Sequence, residues 1–180
     1  MRIDTEKNCL VMIDVQEKLT AVMNEAEAMV KNCGILIQAA KLLGMPIVWC
    51  QQAPRALGET VEPLKGLLEG ITPIDKTHFS CFGDSVFKEV IEKSGAETAI
   101  LCGIETHVCV YQTAADLFTA GLNVHVAADA VTSRTQENKQ IALSRMATEG
   151  IVVNSTEMLL FELLRDAKHP QFKTIAGLIK

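Results

Sequence analysis

Five apolar runs, spaced by segments of helical periodicity, constrain this chain more than any other feature. They are "NCLVMIDV" (Asn8–Val15), "PIVWCQQ" from Pro46, "TAILCGI" from Thr98, "LNVHVAADA" from Leu122 and "IVVNS" from Ile151. Between and after them lie "NEAEAMVKNCGILIQAAKLLG", "SVFKEVIEKSG", "CVYQTAADLF", "TQENKQIALSRMATE" and "EMLLFELLRDA". Their apolar residues recur at the three-to-four spacing of a helix. Gly44, Gly95, Gly121 and Gly150 supply stops for four of them. Asp84 or Ser85, and Ser155 or Thr156, stand where N-caps are needed. Runs apolar at nearly every position suit strands covered on both faces. Strands separated by helical spacers imply right-handed crossovers and a mostly parallel sheet. The expected architecture is α/β, in a single domain over residues 1–180. "APRALGETVEP" reads as a loop, a short helix is expected around Leu64–Leu68, and residues 70–85 read as an extended loop.

Charge and cysteine usage narrow the class. The net charge is −5 with no basic stripe, which argues against a nucleic-acid surface. No apolar run approaches the roughly 18 residues a membrane helix needs. The opening "MRIDTEKNCL" lacks the basic-then-apolar order of a signal peptide. A cytoplasmic protein without a membrane partner is expected. The six cysteines form no CxxC pair, and most sit in apolar segments, so reduced thiols are expected.

In a parallel α/β sheet, ligands bind outside the carboxyl ends of the strands. Asp14 follows "LVMI" directly, and a carboxylate there is costly unless paired or useful; a turn or cap role fits it equally. Lys76, in "PIDKTHFS", is taken alone a solvated loop lysine or a site cation. Cys109 falls where a helix should start, and unpaired amides with partial positive charge there favour thiolate. The alternative is a packed thiol like the other five. Gly103 allows a tight bend at the strand end, which turns backbone amides toward a developing oxyanion. No GxGxxG or GxxxxGK[ST] run is present.

"LVMIDVQEKL", "VWCQQAPRALGET", "DKTHFSCF", "LCGIETHVCVYQTA", "VHVAADAVTSR" and "FELLRDAKHPQFK" together span nearly the whole chain. They resemble the isochorismatase-like cysteine hydrolases, most of all the small, metal-free branch of YcaC-like and isochorismatase domain-containing proteins. The resemblance implies a three-layer α-β-α fold with a doubly wound, six-stranded sheet. It implies a catalytic triad of Asp14, Lys76 and Cys109. It also implies a non-proline cis peptide at Ile104–Glu105, with the Glu105 and Cys109 amides as oxyanion donors. Gln16, Gln52, Phe82, His107 and Val108 are the candidate substrate-binding residues.

Nicotinamidases in this superfamily hold a metal through an Asp-x-His pair after the second strand. Here "WCQQAPRALGETVEP" has neither residue, and the four histidines are scattered. No metal and no cofactor are expected. A nucleophilic thiol favours hydrolysis of a C–N bond in a small amide through a thioacyl-enzyme. Two alternatives stay open: isochorismatase-type vinyl-ether hydrolysis, and a catalytically idle oligomeric binding protein. Thiol redox chemistry is disfavoured by the lack of a nearby resolving cysteine in sequence, although Cys81 or Cys102 could approach in the fold. The branch implies a homo-oligomer, dimer or higher, with the C-terminal "LLFELLRDAKHPQFKTIAGLIK" packing on a neighbouring subunit.

Overall fold

Alternate residues of the central strands feed two separate cores. In β1 (Asn8–Ile13) every position is buried. Leu10 and Met12 join one apolar cluster, whereas Cys9, Val11 and Ile13 join another. Successive strand side chains point to opposite faces, so both faces of the sheet must be covered. The computed structural model, which describes residues 3 and 6–180, shows that they are.

After β1 come α1 (Glu17–Thr20), α2 (Ala26–Leu43), β2 (Ile47–Gln52), α3 (Pro54–Leu57) and α4 (Glu62–Lys65). Then follow β3 (Ile74–Lys76), α5 (Ser85–Ser94), β4 (Thr98–Ile104), α6 (Tyr111–Thr119), β5 (Asn123–Thr132), α7 (Gln136–Thr148), β6 (Val152–Asn154), α8 (Thr156–Leu164) and α9 (Phe172–Leu178). The six strands run in the order β3-β2-β1-β4-β5-β6, every pairing parallel. The first core gathers α2, α8 and α9, and the second gathers α5, α6 and α7. The result is the doubly wound, three-layer architecture that the sequence led us to expect. The caps are those the sequence offered: Asp84 accepts from the Val86 and Phe87 amides, and Ser155 accepts from Met158.

One reading changes. Residues 70–85 are not simply a loop, because Ile74–Lys76 adds a sixth strand at the sheet edge. With three residues and an exposed Asp75, it has too little alternation to be seen in sequence. The C-terminal segment, expected to pack on a neighbouring subunit, also covers the core of its own chain. Leu159, Leu160, Leu163, Leu164 and Ile175 are buried in the first cluster with α2. A helix that covers its own core and one that covers a neighbour's carry the same apolar pattern.

Strand order places the switch point between β1 and β4, the inner strands from which the two halves wind outward. There the backbones approach unusually closely. Gly103 sits opposite Ile13 with φ +115°, and a Cβ on it would lie 2.0 Å from the Ile13 carbonyl oxygen. The pairing of β4 with β5 shifts register at the same point. Glycine is therefore required by backbone contact as well as by φ. Gly103→Ala should cost more than about 3 kcal/mol in urea denaturation. Gly95→Ala, also at positive φ but with open space around it, should cost only about 1 kcal/mol. Equal losses would show that the β1–β4 contact is not the constraint described.

Candidate active site

The carboxyl ends of β1, β2 and β3 and the segment after β4 meet at this switch point. Asp14 follows β1 and turns the chain with φ 54°, a left-handed conformation that Asp tolerates better than most residues. Its amide donates to the Cys50 carbonyl on β2, so the turn begins while still tied to the sheet. Its side chain is fully buried.

Lys76, the last residue of β3, reaches across the end of β2 to Asp14. Its Nζ donates to Asp14 Oδ2 at 2.7 Å, with both side chains at most 1% exposed. The same ammonium donates to Gln52 Oε1 at 2.6 Å and to the carbonyls of His78 and Phe79 at 3.2 Å. A buried ammonium is tolerable only when paired and hydrogen-bonded, and Lys76 is both. Burial alone pulls its pKa down, but the pull of Asp14, Cys81 and Cys109 prevails and holds it above the ordinary lysine value. For Asp14 burial prevails over the lysine, and its pKa is raised. The carboxylate is thereby made a stronger base.

Cys109 lies in a single π-type turn, Thr106–Val110, which runs into α6. Turns of this kind often occur at functional sites. The Glu105 carbonyl caps it, accepting from the Val108 and Val110 amides. The Ile104–Glu105 peptide that leads in is cis. The Cys109 side chain neighbours the Asp14 carboxylate, each affecting the other's ionisation. Asp14 Oδ1, buried, otherwise lacks a hydrogen-bond partner. The helix start favours a thiolate at this sulfur, and burial opposes it. Burial raises its pKa well above the ordinary thiol range, and Asp14 raises it further, outweighing the opposing effect of Lys76.

The five candidate substrate contacts divide. Gln16 is fully buried, and its amide is spent on backbone: Nε2 donates to the carbonyls of Gln52 and Gly58, and Oε1 accepts from the Gln52 amide. It ties the end of β1 to the end of β2. Gln52 likewise works inside the protein, accepting from Lys76 and donating to the Thr77 carbonyl. It orients the lysine. Phe82 stacks edge-on against Phe87, with centroids 6.4 Å apart, and lies under Lys88. Val108 packs against the second core. His107 is on the Cys109 turn, its Nδ1 2.9 Å from Ser133 Oγ.

Sequence reasoning missed the partners of that turn. Arg134 Nε donates to Glu105 Oε2 at 2.9 Å, next to the Ser133–His107 bond. Arg134 stood in the quoted "ADAVTSR" motif, but only the fold shows that the loop after β5 meets the segment after β4. All six cysteines are free. Cys50 and Cys81 contact each other on the site's side of the sheet, and Cys33 and Cys102 do so within the opposite core. Among the described residues no three His, Cys, Asp or Glu side chains cluster as metal ligands, and no helix is long and apolar enough to cross a membrane. A cavity of about 320 Å³ borders Lys76 at the sheet edge, between Pro54, Arg55 and Asp75.

An isochorismatase domain profile matches residues 8–158. Isochorismatase domain-containing protein 2 of Danio rerio is 39% identical over 178 residues, which is 99% of this chain and 89% of that protein. A structure described as the MAR1 ribonuclease of Caenorhabditis elegans superposes with a TM-score of 0.93 at 37% identity, covering 99% of this chain and 92% of that one. The ycaC gene product of Escherichia coli, described as an octameric hydrolase of unknown specificity, shares the fold at a TM-score of 0.93 and 22% identity, with 99% and 89% covered.

Removing one member of the buried pair should reveal its energetics. Lys76→Met strands a buried carboxylate and should cost about 3–5 kcal/mol in urea denaturation. The double variant Asp14→Leu/Lys76→Met should recover a good part of that loss. Additive losses would contradict an ion pair that matters chiefly through mutual neutralisation.

Proposed function

Because the chain belongs to the isochorismatase domain family, we propose that it is a cysteine hydrolase that cleaves a C–N bond in a small amide. The observation that carries this reading is the convergence of a buried acid, a buried ammonium and a thiol at the carboxyl end of the sheet. In the proposed cycle Asp14 takes the Cys109 proton, and the sulfur attacks the substrate carbonyl carbon. The carbonyl electron pair moves onto oxygen, toward the amides of Glu105 and Cys109. As the C–N bond breaks, the protonated Asp14 gives its proton to the departing amine, leaving a thioester on Cys109. Water then attacks the thioester, Asp14 accepts the water's proton, and the acid leaves as the thiol re-forms. Lys76 remains protonated throughout, since its pKa is raised, and limits the cost of charge on its neighbours. Burial assists by raising the basicity of Asp14.

The name of the C. elegans relative supports a second reading, a ribonuclease. A net charge of −5 and a nucleophile only 7% exposed suit a small neutral or singly charged substrate better than a polyanion. The octameric E. coli neighbour adds support for a homo-oligomer.

The test is a panel of small amides and a structured RNA, each incubated with wild-type protein and with Cys109→Ala. Amide turnover that vanishes in Cys109→Ala, and falls by about 10³-fold or more in Asp14→Asn, is expected. Full turnover by Cys109→Ala would eliminate the covalent route. RNA cleavage with no amide turnover would favour the second reading.

A further inference from the structure

Resting on the roles given to Cys109 and Lys76 above, we infer that Thr113 and Ser80 are positioning residues. Through them helix α6 holds the loop that surrounds the Lys76 ammonium, so that one helix sets both the sulfur and its cationic neighbour. Lys76 ends a three-residue strand at the edge of the sheet, a weak mount for a buried charge. The loop after it completes the mount. Gln52 Nε2 donates to the Thr77 carbonyl, and the next two carbonyls, of His78 and Phe79, each accept from Lys76 Nζ at 3.2 Å. These bonds are at the long end of the N–H···O range, so a small drift of the loop would break them.

The two residues that follow those carbonyls attach the loop to α6. Ser80 Oγ donates to Asp116 Oδ2 at 2.6 Å, and the Cys81 amide donates to Thr113 Oγ1 at 2.9 Å. Cys81 and Thr113 are fully buried, where an amide without an acceptor carries its whole desolvation cost. Thr113 is four residues past Cys109, and Asp116 three past Thr113, the spacing that keeps side chains on one helix face. The loop is closed on its far side as well: the Gly83 amide donates to the Ser80 carbonyl, and the Asp84 amide to the Cys81 carbonyl. Lys76 is the group that opposes the upward push of burial and Asp14 on the Cys109 pKa. Loosening the loop should therefore make the sulfur harder to ionise, an effect that needs no substrate to be read.

Cys109 is alkylated with iodoacetamide at mildly alkaline pH, and the rate is followed by peptide mass spectrometry on the full chain. Sulfur displaces iodide, and the thiol proton leaves to solvent. Thr113→Val keeps the side-chain shape and removes the acceptor, and should slow labelling about 5-fold or more. Thr113→Ser keeps the hydroxyl and should restore the rate. In the Asp14→Leu/Lys76→Met background no ammonium is left to position, and Thr113→Val should then change nothing. An unchanged rate in Thr113→Val, or an equal slowing in both backgrounds, overturns the inference. Should Thr113→Val fail to fold, Ser80→Ala decides by the same comparison, with the same two overturning results. Absence of amide turnover together with the expected labelling pattern would sink the amidase reading and leave this inference standing. A wild-type Cys109 that does not label would remove the nucleophile, and the inference with it.

Discussion

The Asp14–Lys76 ion pair is the interaction on which the arrangement depends. It joins the end of the central strand β1 to the end of the edge strand β3, passing over β2. Neither charge would tolerate burial alone. Each is made acceptable by the other, and Lys76 further by Gln52 and two carbonyls. Several side chains that resemble substrate contacts in sequence serve this pair. Gln52 holds the ammonium, and Gln16 holds the backbone of Gln52 against the end of β1. The polar architecture supports one carboxylate whose second oxygen has no hydrogen-bond partner among the described residues.

The same pair sets the electrical state of Cys109. A thiol at the start of a helix would ordinarily be acidified by the amides around it. Here burial raises its pKa, and the Asp14 anion raises it further against the opposing pull of Lys76. The site therefore does not store a thiolate. It places a carboxylate of raised pKa beside a thiol of raised pKa. A resting thiolate would react with any passing electrophile, whereas a paired acid and thiol respond to a bound one.

Much of the fold was legible because strand and helix carry different apolar periods. β1, β4 and β5, the helix stops at Gly44 and Gly95, and the Asp84 and Ser155 caps all follow from local chemistry. β3 was not legible because three edge residues, one of them an exposed acid, carry too short a pattern. The packing of α8 on its own core could not be told from packing on another subunit. At the site, Asp14, Lys76 and Cys109 could be named individually but stayed ambiguous until the strand order brought them together. The tasks of Gln16, Gln52 and Arg134 depend on which strand ends are neighbours, and spacing along the chain does not encode that. The forces on the Cys109 thiol divide along the same line: proximity to a helix start is a local property, and burial beside Asp14 is a tertiary one.

The most direct measurement is a pH titration of thiolate absorbance near 240 nm, taken as the difference between wild-type protein and Cys109→Ser. The account predicts that the Cys109 signal appears only above the ordinary cysteine value of about 8.5, and appears at lower pH once Asp14→Asn removes the neighbouring anion. A thiolate already formed at neutral pH in the wild type, or one indifferent to Asp14→Asn, would contradict it.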